Sequence, residues 1–249
     1  MFFHNYTLLA LYATLFTWLL TTLGSSMVFF FKKVSKNFMD ISLSISAGIM
    51  LAASFFSLLN PALENAKLLK QMPWLIVSVG FFLGSIFIYL TDKIIKNNKR
   101  TSLLVLSITM HNIPEGLAIG IAFGSIKYGI NGASLINALL LTLAIGLQNF
   151  PEGTAVSLPL RRDKYSRLKS FIYGSLSAIV EPIFGLIGAL ITIRISNLMP
   201  LFLSFASGAM IYVIVKELIP ESQSNKNKSL ISMFFIIGFL IMMILDTLM

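Results

Sequence analysis

The hexapeptide His111-Asn112-Ile113-Pro114-Glu115-Gly116 recurs 37 residues later as Gln148-Asn149-Phe150-Pro151-Glu152-Gly153. Imidazole, carboxylate and carboxamide groups are side chains that bind divalent metals through nitrogen and oxygen. Both copies sit in long apolar stretches, where a carboxylate costs about 2.5–3.5 kcal/mol at the centre of an inserted helix. A chain that carries this burden twice, on the same six-residue frame, points to a metal site. His111 and Glu115 are i and i+4, as are Gln148 and Glu152, so each pair shares one face of a helix. Pro114 and Pro151 lack N–H groups, which leaves the carbonyls of Met110 and Leu147 without their helical partners. At membrane depth such backbone is tolerated where it is buried in protein or lines a hydrated cavity. Those carbonyls are further candidate cation ligands. The Asn-x-Pro-Glu run also resembles a helix N-terminus, with Asn as cap. Its repetition in apolar surroundings, beside a histidine and a glutamine, favours the site.

The elements that must position these residues follow from composition. The chain has 249 residues, 56% of them hydrophobic and 12% charged, with a mean hydropathy of +0.85. Soluble domains carry about a quarter charged residues, so this chain belongs in a lipid bilayer. Charge-poor segments of spanning length fall at 6–31, 41–62, 73–91, 102–126, 130–160, 170–193, 198–215 and 230–248. The expected fold is all-α, a polytopic membrane protein of eight transmembrane helices forming a single domain over 1–249. The first segment has no basic region before it and no small-residue cleavage site, so it reads as a span and not as a removable signal. With alternate loops on opposite sides, 15 of the 19 lysines and arginines share one side. The positive-inside rule makes that side cytoplasmic and places both termini outside the cytoplasm. The net charge of +9 is therefore a topology signal, and nucleic acid is not an expected partner. The absence of a GxxxxGK[ST] loop argues against ATP-driven transport by this chain.

At 1.5 Å per helical residue, His111 lies about 16 Å and Glu115 about 22 Å from Arg100. Gln148 and Glu152 lie about 20 and 14 Å from Arg161, by the same rise. Glu181 is about 18 Å from Lys169, and Met50 about 21 Å from Lys36. In a hydrocarbon core roughly 30 Å thick, all of them converge on the middle third. Consecutive spans run antiparallel, so the two hexapeptides face each other about a local pseudo-two-fold. Glu181-Pro182 reads equally as a helix kink with a satisfied carboxyl or as part of the site. Met50 reads as core filler or as a thioether ligand. Glu64, Glu217, Glu221 and Asp246 lie near span ends, where a carboxylate needs no special explanation. Gly116, Gly120 and Gly124 form a small-xxx-small stripe, a packing device and a candidate sliding surface.

Three midplane glutamates, one histidine, two asparagines and a glutamine make an oxygen-rich cage with a single imidazole, suited to a divalent transition metal. Cysteine is absent, which excludes thiolate zinc sites and iron–sulfur clusters and leaves a site weak enough to release its ion. A Glu from each of two helices can also bridge two ions.

These residues match a family. HNIPEGLAIG, QNFPEG, Val180-Glu181-Pro182 and GAMIYVIVKELIPE (Gly208–Glu221) resemble the ZIP (Zrt- and Irt-like) divalent-metal transporters, in particular the prokaryotic branch of GufA-like and zinc-uptake permeases. The resemblance covers the whole chain. It implies import of zinc into the cytoplasm across a cell membrane, that of a prokaryote, with iron, manganese or cadmium as secondary substrates and no resident cofactor. It implies a one- or two-metal site formed by His111, Asn112, Glu115, Gln148, Asn149, Glu152 and Glu181, with Met50 as a ligand from the second span. It further implies a homodimer in which spans one, four, five and six move against the others in an elevator-like manner. Gln148 stands where many members have His. Lys216 stands where members often have an acidic residue or His. A different reading, an intramembrane metal-dependent hydrolase with Glu115 or Glu152 as base, lacks an HExxH motif.

Overall fold

A chain in hydrocarbon satisfies its backbone polar groups inside each segment, and helices do this without edges. The computed structural model describes residues 5–30, 35–94, 100–129, 133–223 and 227–248, and of 94, 100–104, 107, 111, 193–196 and 248 the backbone alone. Its helices are α1 (Tyr6–Ser26), α2 (Lys36–Ala53), α3 (Asn60–Leu68), α4 (Pro73–Ile94), α5 (Arg100–Lys127), α6 (Leu135–Arg162), α7 (Arg167–Leu176), α8 (Val180–Ile195), α9 (Met199–Val213), α10 (Ile219–Ser222) and α11 (Lys228–Leu248). Because α2 runs into α3, α7 into α8 and α9 into α10, they make eight helical units, and the described residues contain no strand.

Six of these units are long and apolar enough to cross a membrane: Tyr6–Phe29, Lys36–Leu68, Pro73–Lys93, Arg167–Thr192, Met199–Ser222 and Lys228–Thr247. The chain is a multi-pass membrane protein. The two units outside that set, α5 and α6, have 28 residues each, about 42 Å at helical rise. They carry the hexapeptides. Pro114 and Pro151 do not end their helices, which run on as α5 and α6.

The second and seventh units contain a wide π-turn each, Ser54–Leu59 and Ile214–Leu218. Each is followed by a proline, Pro61 or Pro220, near the next helix start. A π-turn shifts the hydrogen-bond register, and the missing proline N–H then falls where a helix start needs no donor. That is how the second unit continues past the expected end at 62 to Leu68. The sixth unit does break. Residues 177–179 form turns, and α8 begins with Glu181-Pro182 in its first turn. Trp18 Nε1 donates to Ser175 O at 3.0 Å and Asn112 Nδ2 to Ser177 O at 3.2 Å, so side chains satisfy the carbonyls that the break exposes.

The closest packing is pairwise: α5 with α8, α1 with α6, α4 with α9, and α2 with α11. Glycines set each approach. A Cβ at Gly120 would overlap the Gly185 carbonyl, at Gly153 that of Thr21, at Gly208 that of Phe81 and at Gly48 that of Phe235. The pairs assemble into two groups. One holds α1, α5, α6, α7 and α8; the other holds α2, α3, α4, α9, α10 and α11. They meet chiefly where α2 packs on α6 and α9 on α5. Apart from Gly129, which meets nothing, every described glycine packs against its own group. The Gly116-Gly120-Gly124 stripe is thus a packing device, as expected from its spacing, but its partner is α8 inside one group. It is not a surface on which the groups slide.

Candidate metal centre

Both hexapeptides lie near the middle of their helices, and the structure joins them. Gln148 Nε2 donates to Glu115 Oε1 across the α5–α6 contact, and both side chains are buried. The side chain of His111 lies outside the described residues. Beside the Gln148–Glu115 pair, Asn149 Nδ2 donates to both oxygens of Glu181, at 2.8 and 3.0 Å, and to Thr17 O at 3.1 Å. Glu181 Oε2 also accepts from Thr17 Oγ1, and Glu152 is within Coulombic reach of Glu181. Asn112, Glu115, Gln148, Asn149, Glu152 and Glu181 are all buried. The amide oxygens of Asn112, Gln148 and Asn149 have no hydrogen-bond donor among the described residues. They are lone pairs held at depth, the feature a cation would use.

The groups meet in two lobes, Glu115–Gln148 and Glu181–Asn149. Among the described residues no three His, Cys, Asp or Glu side chains converge on one point. Glu181 stands at a helix break, with its carboxylate hydrogen-bonded to Thr17 and to the hexapeptide residue Asn149. Met50 packs in the apolar cluster with Met39, Leu43, Val156, Leu160 and Val213, and its carbonyl accepts from Ser54 Oγ at 2.8 Å. Lys216 pairs with Asp92 on α4 and stands 5.6 Å from the centre of the Tyr212 ring, so its charge is taken up by α4.

Two features escaped the sequence. Thr17 is one of three buried threonines, Thr14, Thr17 and Thr21, on a single face of α1; their three- and four-residue spacing was the available signal. The second is a cavity of about 880 Å³ between the two groups, lined by Ser57, Glu64, Asn65, Asn137, Ala144 and Asp246 among others. Glu64 and Asp246 therefore line a cavity, beyond what their place near span ends required. Ser57 Oγ donates to Asp246 Oδ1 at 2.7 Å. Ala144 is one helical turn, about 6 Å, from Gln148, so the cavity reaches toward the hexapeptides from one end of the bundle. On the other side of them the apolar cluster around Met50 fills the space between α2, α6 and α9.

Residues 6–101 and 96–246 match the sequence model of the family described as ZIP zinc transporter. The zinc transporter ZIP11 of Xenopus tropicalis is 36% identical, with 95% of this chain and 96% of that protein aligned. The zinc transporter ZupT of Clostridium perfringens is 31% identical, over 96% and 95%. The zinc transporter GufA of Myxococcus xanthus is also 31% identical, over 95% and 97%.

Proposed function

The chain belongs to the ZIP zinc transporter family, and we propose that it imports zinc into the cytoplasm through the paired hexapeptides, as a single transmembrane domain over 1–249. A family of transporters leaves no place for the hydrolase reading. His111, Asn112, Glu115, Gln148, Asn149, Glu152 and Glu181 hold the ion, and Met50 offers a thioether from the opposite group as the ion passes. Fe²⁺, Mn²⁺ and Cd²⁺ are secondary substrates, since an N/O site without thiolate discriminates weakly among first-row metals. With eight spans and the basic loops inside, both termini lie outside the cytoplasm. The cell membrane of a prokaryote is the setting, and the working unit is a homodimer. The cavity at Glu64 and Asp246 is the access route from outside. The group holding α1, α5, α6, α7 and α8 carries the site against the other.

The observation that carries this reading is the contact between Gln148 and Glu115, which unites two polar motifs at mid-helix where neither would be stable alone. The test is reconstitution in liposomes loaded with a zinc-sensitive dye. External zinc should raise the signal in proteoliposomes and not in empty vesicles. Equal signals in both would refute import.

A further inference from the structure

At the end of the bundle away from the cavity, a side chain bridges the two groups. Arg162 closes α6, and its Nη1 donates to Glu221 Oε1 on α10. The same Nη1 lies 3.7 Å from Met39 Sδ on α2. Arg162 thus holds two helices of the opposite group from a helix that bears half the site. The Glu221 side chain is only 16% exposed, so salt screens the pair less than an open surface pair. Beneath it Met39, Leu43, Val156, Leu160, Val213 and Leu218 belong to one apolar cluster, flanked in sequence by the buried Asp40 and Ser157. One end of the boundary is an open cavity and the other is an apolar plug capped by an ion pair.

We propose that the Arg162–Glu221 pair is a latch that holds the cytoplasmic side closed, and that it sets how often the site turns inward. The latch rests on the import reading for which end is cytoplasmic, and it deepens that reading by naming the residues that govern the transition. Opening the inner side requires α6 to leave α10 and α2, which breaks the pair. A pair of this exposure shifts a two-state equilibrium by about two- to fivefold.

The chain has no cysteine, so single reporters are clean. Ala144→Cys reports on the cavity and Leu160→Cys on the plug, with Ala155→Cys as a second plug reporter should Leu160→Cys fold poorly. Each is labelled with a polar maleimide in nanodiscs, where both faces are accessible. Arg162→Gln and Glu221→Gln should each raise the plug rate relative to the cavity rate by about two- to fivefold. Arg162→Lys should keep the ratio near that of the parent. The double variant should match either single, because both remove the same interaction. Unchanged ratios in the Gln variants, or additive shifts in the double, would overturn the latch. Labelling needs no zinc flux, so a latch that holds in a protein that moves no zinc would refute import alone.

Discussion

Gly120→Ala adds one methyl group where α5 crosses α8. The new Cβ would overlap the Gly185 carbonyl oxygen and stand 2.9 Å from Ala189 N, inside the roughly 3.5–4.0 Å at which non-bonded atoms rest. Both obstacles are backbone, so no rotamer change relieves them and the helices must separate. Overpacking of this kind costs about 1–3 kcal/mol. Gly116, Gly124 and Gly188 press on the same seam, so separation at one point loosens its neighbours and the upper half of that range applies. With about 2–4 °C of Tm per kcal/mol for chains of 150–250 residues, the expected loss is about 4–12 °C. Thermal unfolding of detergent-purified protein, followed by tryptophan fluorescence, measures it; Trp18 is tied to Ser175 in the same group. Ser46→Ala is the comparison. It sits on the boundary between groups and loses a 3.2 Å bond to Pro151 O, at about 0.5–1.5 kcal/mol. If Gly120→Ala melted with the parent, or lost no more than Ser46→Ala, the glycine seams would not be what holds each group together.

Three further outcomes are expected. Glu115→Ala and Glu152→Ala should each reduce zinc uptake to the level of empty liposomes at matched protein abundance; parent-like rates in both would refute the site. Gln148→His should raise the preference for zinc over manganese, because imidazole is a softer and stronger ligand than an amide oxygen; competition binding to purified protein reads this, and an unchanged preference would place residue 148 away from the ion. Zinc binding should release protons and weaken as pH falls, because the ion displaces protons from carboxyl and imidazole ligands; a titration in weak buffer with no release, and affinity flat below neutrality, would contradict it.

The helices were legible because hydrocarbon length and flanking charge bound them. The expected 73–91 sits inside Pro73–Ile94, and 198–215 starts one residue before the unit from Met199 to Ser222 and ends inside it. Ends were less so, since Glu64 and Lys67 look like loop residues yet lie within α3, carried there by a π-turn that hydropathy cannot register. Within the site, the i and i+4 spacing of Gln148 and Glu152 fixed a shared face, but nothing local indicated that Asn149 would bond Glu181, 32 residues on. Thr17 lay further still, since a threonine in an apolar helix usually bonds its own backbone. Arg162 and Glu221 read as ordinary flanking charges, and only tertiary structure brings residues 59 apart in sequence together.

The 3₁₀ turn Ser196–Leu198 is the whole connection between α8 in one group and α9 in the other. Three residues at about 2 Å each span about 6 Å, and fully extended they reach about 10 Å. Gln71 Nε2 fastens this turn further, donating to Asn197 O at 2.7 Å from the end of the second unit. A leash that short makes a fulcrum. In the motion proposed above, the end of the site-bearing group near Asn197 would stay almost where it is, and the far end would swing. Such a motion would be closer to that of a hinged lever than to a piston, and displacement of the ion would grow with its distance from Asn197.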